Sequence, residues 1–478
     1  MALQPLKVNV FGPGSPGGKT RELVDFSSKA NGLLVKVDGK ELVINMPPTT
    51  AVSPEFCKKF MESAGCNKND TPETAKEKML AQIKGLNGAA DCIIDTLIEK
   101  NSVRPLSMRS DDLGGTGVLD TEFVNVNAIR KIETREWLAT AMINVLASSF
   151  SPNAVAVRER MDARGIDTAL GICANPVCAG EYEMNPGADG LAALARGPTL
   201  SMTYLAPIDS LNYSVWYVAH GMAVLPEEAK RSHTHFYSTG EELTLADAIV
   251  VAQCNEAVGL PSSGRIPKPG FFSPAFESKF NSHEGAIELA MALREAMRQI
   301  RGQTEKFYAE LVCPTSQNFY DWVMLQASNL SWSLDKMPGA IVDGSYKITS
   351  TRVMGFADKE TVGVRHAGTH PLQEDRDYNK ANRDYLLVVK TPGVDSFRAN
   401  WQFSDFSNAG AVLMVVRAGL YPIYSHIGGL LRMMGIPVLL INEEKDPNLA
   451  RMIMEMPESS KSRVLVDESV PIGGIKII

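Results

Sequence analysis

Four stretches of this sequence set residues that could handle phosphate at spacings that matter. The first places His426, preceded by Ser425, between a short apolar strand (Val412 to Val416) and a helix-like run ending at Gly435-Ile436-Pro437, with Arg432 six residues beyond the histidine. A strand that delivers a side chain onto a helix start gives it a fixed direction, and the unpaired N–H groups there favour an anion beside it. A neutral imidazole so placed can attack phosphorus and hold the group as a labile phosphoramidate. The second stretch is Gly12-Pro13-Gly14-Ser15-Pro16-Gly17-Gly18-Lys19-Thr20, between a β-prone run (Leu6 to Phe11) and a helical one (Arg21 to Lys29). Strand, glycine loop and helix in that order suggest a phosphate cradle. Gly12, Gly14 and Gly17 satisfy GxGxxG, but Pro13 and Pro16 fit a dinucleotide turn poorly, and no ribose-binding acid stands at the usual distance. The Walker pattern fails because Pro13 stands where its first glycine belongs.

The third stretch is Met108-Arg109-Ser110-Asp111-Asp112, followed by a glycine loop from Leu113 to Val118. An arginine at a strand end can clamp a polyphosphate with its planar fork while such a loop closes over it. The alternative is a surface ion pair with Asp111 or Asp112. The fourth is a hairpin, Phe307 to Val312 and Tyr320 to Gln326, joined by a turn at Cys313 to Gln317. It carries Glu310, which taken by itself reads as an exposed strand residue.

The elements that must position these residues can be read in outline. Helical spacing marks Pro54 to Ala64, two amphipathic helices within Glu73 to Lys100 (Met79, Ile83, Ile93, Ile94 and Leu97 apolar), Trp137 to Phe150, Ala154 to Arg164 and Gly285 to Arg301. Residues 170–300 are punctuated by Pro176, Pro186, Gly187 and Gly190, and yield one strand, Leu211 to Val218. The polar run Gln373 to Asp384 reads as a linker or surface loop. Strands follow at Tyr385 to Lys390, Ile436 to Ile441, Arg463 to Asp467 and Gly473 to Ile478.

At 478 residues the chain is long for one domain. Hydrophobic residues at 44% and charged residues at 22% are ordinary for a globular protein, and no apolar run approaches the ~18 residues of a spanning helix. The start, Met1 to Val10, lacks the basic and apolar pattern of a secretory signal, so a cytoplasmic, membrane-free protein is expected. A formal charge of −7 argues against nucleic acid as a partner. The seven cysteines form no CxxC pair and read as reduced thiols. His233 with His235, and His366 with His370, lack a third ligand at convincing spacing and read as solvated loop histidines.

Taken together, the motifs resemble the phosphoenolpyruvate synthase and pyruvate phosphate dikinase family. Ser425-His426 with Arg432 and Gly435-Ile436-Pro437 resembles its phosphohistidine motif, and Gly17-Gly18-Lys19 with Leu23 its opening GGK motif. Met46 to Ser53 is similar to its Pro-Pro-Gly-Phe segment, and Met108-Arg109-Ser110 with Phe123-Val124-Asn125-Val126 to its Val-Arg-Ser and Leu-Asn-Val segments. The hairpin resembles the last hairpin of its ATP-grasp domain, where an acid and a glutamine reach the metal–nucleotide complex, matched here by Glu310 and Gln326. The family's Gln-Ser-Arg-Pro becomes Gln326-Ala327-Ser328-Asn329, and Pro422, Ile423 and Tyr424 replace its glycines and threonine before Ser-His.

The resemblance implies an α/β (α+β) chain. An ATP-grasp-like two-lobed nucleotide-binding domain would span residues 1–330 (lobes about 1–170 and 171–330). A linker and the start of the second domain would follow at 331–385, then a smaller β/α swivelling phosphohistidine domain at 386–478. It implies Mg²⁺ and ATP as ligands, with Lys19, Arg109, Glu310 and Gln326 around the nucleotide, Glu310 on the metal and His426 as phosphoryl carrier. The acceptor, a small molecule or a protein, is left open, as is a homo-oligomer. The alternative is a catalytically inactive homologue serving as a nucleotide-binding, structural or assembly module.

Overall fold

The computed structural model describes residues 8–30, 35–37, 39–99, 106–112, 119, 121–124, 133–162, 168–176, 181–184, 193–196, 198–206, 210–217, 233–237, 248–252, 292–293, 295–301, 307–313, 321–329, 346–347, 359–391, 397, 400–416, 436, 438–443, 447–466 and 473–477. It is a mixed α and β chain dividing into two compact units. The first comprises Met1–Val155, Asp167–Val250 and Gly264–Asn329, and the second Ala156–Ile166, Val251–Ser263 and Leu330–Ile478.

In the first unit, β1 (Val8–Phe11) leads through the glycine loop into α1 (Gly18–Ala30). Strands β2 (Val35–Val37), β3 (Lys40–Asn45) and β4 (Thr49–Val52) follow. Helix α2 (Pro54–Ser63) starts where Ser53 accepts a hydrogen bond from the Phe56 N–H and Pro54 takes a position whose missing N–H costs nothing. Thr71 and Pro72 start α3 (Pro72–Leu80) in the same way, and a short 3₁₀ turn leads into α4 (Asn87–Glu99). Strands β5 (Leu106–Asp111) and β6 (Glu122–Val124), helix α5 (Glu133–Ser148) and strand β7 (Gly171–Pro176) complete the first layer; helix α6 (Pro152–Asp162) starts in this unit and belongs to the second from Ala156 on. The five-stranded sheet runs β1-β4-β7-β5-β6; β1 and β4 are parallel, and the remaining neighbours antiparallel. Its core joins Val52, Leu106, Met108 and Ile172 to Phe60, Met79, Ile93, Leu138, Met142 and Leu146 of the helices. Burying side chains of this size stabilises by about 1.5–3 kcal/mol each.

Residues 170–300 hold more strand than the sequence disclosed: β8 (Glu181–Met184), β9 (Ala193–Arg196), β10 (Pro198–Ala206), β11 (Ser210–Tyr217), β12 (His233–Tyr237) and β13 (Ala248–Ala252). With β14 (Phe307–Cys313) and β15 (Asp321–Asn329), most join an eight-stranded sheet ordered β13-β12-β11-β10-β14-β15-β3-β2, while β8 and β9 pair alone. Helix α1 packs on β15 and also touches β5.

The second unit has two sheets of its own. One is antiparallel, ordered β16-β23-β22-β17, from β16 (Tyr346–Lys347), β17 (Lys359–Thr361), β22 (Ser462–Val466) and β23 (Gly473–Ile477). The other is parallel throughout, from β18 (Val364–Ala367), β19 (Tyr385–Thr391), β20 (Ala409–Val416) and β21 (Val438–Asn442). Unbroken apolar runs such as Ala409–Val416 are what a parallel strand covered on both faces requires. Helices α8 (Phe403–Phe406) and α9 (Pro447–Met454) follow β19 and β21; Leu449, Ala450 and Ile453 of α9 pack into the sheet's core.

The polar run at 373–384 is not a loop. It forms helix α7 (Gln373–Ala381), mostly exposed but with two polar residues, Asp375 and Asn379, turned inward. Asp375, 3% exposed, accepts from the Leu372 N–H at 2.8 Å and from Arg365 Nε at 2.7 Å. Buried Asn379 donates to the Ser404 carbonyl and accepts from the Tyr385 hydroxyl and the Asn408 N–H. Among the described residues no helix is long and apolar enough to cross a membrane.

Candidate functional site

The glycine loop and β5 meet at the first turn of α1. Gly12 and Gly14 adopt φ of +93° and +86°, the left-handed region that glycine enters without steric cost, and the chain thereby turns sharply out of β1. The helix begins at Gly18, three residues earlier than the sequence pattern predicts, so Lys19 and Thr20 belong to its first turn and not to the loop. Pro16 and Gly17 offer no capping side chain. The cap arrives from far along the chain: the Gly17 N–H donates to Asp111 Oδ2 at 2.9 Å and the Thr20 N–H to Asp111 Oδ1 at 2.8 Å. A carboxylate at this end of a helix meets both orphan donors and the positive end of the dipole. Gly17 is required by the closeness of the approach, since a Cβ there would stand 1.8 Å from the Asp111 carbonyl oxygen.

Lys19 turns toward the same strand. Its Nζ donates to the Ser110 carbonyl at 3.1 Å and to Ser110 Oγ at 3.2 Å, and lies 3.7 Å from Asp112 Oδ1. Burial lowers the Lys19 pKa and outweighs the attraction of Asp112; the positive charge of Arg109 pushes the same way. Lys19 and Arg109 are therefore brought within electrostatic reach of one another. Burial also raises the Asp111 pKa against the hydrogen bonds from Thr20 and the charge of Lys19. Asp111 and Asp112, the surface partners the sequence offered Arg109, are both buried and directed at α1.

Behind this cluster Arg109 stands opposite Cys173 in the β5–β7 register. The Cys173 thiol is pushed up to about 12 by burial, and donates to Asn175 Oδ1 at 2.9 Å. Asn175 in turn donates to Thr49 Oγ1 at 2.6 Å. Cys57, Cys66, Cys92 and Cys173 are all free thiols.

Beside the loop a cleft of about 200 Å³ is lined by Gly14, Gly17, Gly18, Arg21, Glu55 and Ala169, among others. The sequence reading missed Arg21 and Glu55 here, and missed Asp111 as a cap. A helix start lacking any local capping side chain was the signal for a distant one.

The hairpin forms as expected: β14 and β15 are antiparallel, with Glu310 directly opposite Gln326 and a bulge immediately after Glu310. Both belong to the sheet whose strand β15 receives α1. His426, with Ser425 and Arg432, lies outside the described residues, in the connection between β20 and β21. Among the described residues no group of three or more His, Cys, Asp or Glu could hold a metal ion. His233 and His235 are strand residues, opposite Val215 and Tyr213, in place of the expected loop. His366 is on β18, its Nε2 2.7 Å from the Met456 carbonyl oxygen.

No model of a known protein family matches the chain, and no curated protein does either.

Proposed function

We propose that the chain is an ATP-dependent phosphotransferase: Mg·ATP binds where α1, β5 and the β14–β15 hairpin meet, and a phosphoryl group passes to His426 and then to an acceptor. The observation that carries this reading is the placement of α1. Its first-turn Lys19 lies against β5 within reach of Arg109, while its body packs on β15, the strand of Gln326. Two cations and a carboxylate–amide pair on elements in contact are what a polyphosphate with a hard metal calls for. Transfer of this kind depends on position and charge neutralisation more than on covalent chemistry by the protein. Asp112 offers one hard oxygen donor: its buried Oδ1 accepts no hydrogen bond among the described residues, with Lys19 Nζ 3.7 Å away. When bound, Mg²⁺ would neutralise charge on the phosphates, held by Glu310 and the nucleotide itself.

The nucleophile would be the neutral imidazole of His426: it attacks the β-phosphorus, the bond to the α-phosphate breaks and AMP leaves, and water or inorganic phosphate then takes the γ-phosphoryl group as phosphate or pyrophosphate, so that one phosphoryl group stays on the imidazole. A second reading, a catalytically inactive module that binds nucleotide or serves structure or assembly, is favoured by one observation: Asp111 already takes the Gly17 and Thr20 N–H groups of α1. Incubation with Mg·ATP and chromatography of the nucleotides separates the two. Phosphotransfer predicts AMP, formed at least about tenfold more slowly by Arg109→Met. Binding without AMP assigns the protein to the second reading.

A further inference from the structure

Resting on that reading, we infer that Asp111 is a positioning residue: it latches the first turn of α1 to the end of β5 and so holds the Lys19 ammonium against Ser110 and Asp112 of that strand segment, without itself touching nucleotide. Three features carry the inference. Asp111 is fully buried and each carboxylate oxygen takes one N–H of α1, so its geometry is fixed at two points. Gly17 leaves no room for a Cβ at the junction, so the helix start is seated directly on the strand. Lys19, between the two anchored residues, is thereby aimed at Ser110 and Asp112 of the same strand segment.

Lys19 is buried with the positive charge of Arg109 in electrostatic reach, an unfavourable arrangement that Asp112 and Asp111 offset. A fold under pressure for stability alone would not assemble it; a fold that must meet a polyanion would. The rival account makes Asp111 a competitor for the nucleotide phosphates, which would otherwise take the helix end themselves.

The test compares the full chain with Asp111→Ala and with Asp111→Asn, a variant that keeps the shape and one acceptor oxygen. Two quantities are read: the calorimetric Kd for Mg·ATP, and the rate at which an amine-reactive ester labels Lys19, measured by peptide mass. Positioning predicts a Kd about tenfold or more weaker in Asp111→Ala, Lys19 labelled about tenfold faster, and intermediate values in Asp111→Asn. Lower thermal stability with both quantities unchanged overturns the inference, leaving a plain helix cap. Tighter nucleotide binding in Asp111→Ala also overturns it, in favour of the competitor. If the unsubstituted chain binds no Mg·ATP, the nucleotide reading falls, and Lys19 labelling alone decides whether Asp111 positions it. If Asp111→Ala does not fold, Asp111→Asn carries both comparisons.

Discussion

At the scale of single residues, the junction of α1 with β5 makes sharp demands. Gly17→Ala forces a methyl against the Asp111 carbonyl, and is expected to destabilise by about 1–3 kcal/mol or more in urea titration. A value near zero would mean that helix and strand do not meet so closely. Asp111 gives a signed pH dependence. Its folded pKa is raised above 3.8, so its contribution is fully present below that value and declines as pH rises through the folded pKa. The stability difference of Asp111→Asn from the unsubstituted chain should therefore shift toward the variant as pH rises above 3.8. A flat or opposite trend would contradict the assignment. Cys173, its thiol pushed up to about 12 and 3% exposed, should resist iodoacetamide at pH 8 in the folded chain, whereas half-buried Cys66 reacts.

At the scale of elements, the sequence was most legible where capping and periodicity agree. Ser53-Pro54 and Thr71-Pro72 mark their helix starts within the local sequence. The hairpin was legible in outline: both strands form, but the second runs on to Asn329, three residues past the end read at Gln326. Elements whose determinants are distant were not. Helix α1 is capped by a side chain 94 positions from Gly17, so its start could not be read locally. Helix α7 looked like linker because the two residues that anchor it, Asp375 and Asn379, are themselves polar and serve a buried network. Strand β10 carries apolar residues at alternate positions, Leu200, Met202 and Tyr204, but the punctuation around it obscured the run. Asp375→Ala should cost about 3 kcal/mol, because it strips Arg365 of a 2.6 Å ion pair and the Leu372 N–H of its acceptor. Circular dichroism and urea titration would check it; a change within 0.5 kcal/mol, the ordinary range of surface substitutions, would restore the loop reading.

At the scale of the whole molecule, each unit owns a separate hydrophobic core. Calorimetry should therefore show two unfolding transitions, and saturating Mg·ATP should raise the one belonging to the first unit, by about 2.7 kcal/mol at a hundredfold excess over Kd. One transition whose van't Hoff and calorimetric enthalpies agree would contradict this. Arg160 of α6 donates to the Ser407 and Ala409 carbonyls within the second unit, so Arg160→Ala should lower that unit's transition alone.

The central claim is that phosphate travels from ATP to His426. The direct measurement is the intact mass of the chain after incubation with Mg·ATP, beside His426→Ala. The account predicts a gain of one phosphoryl group, labile in acid, accompanied by AMP and absent from the variant. No gain while nucleotide still binds, or an equal gain in His426→Ala, would contradict it.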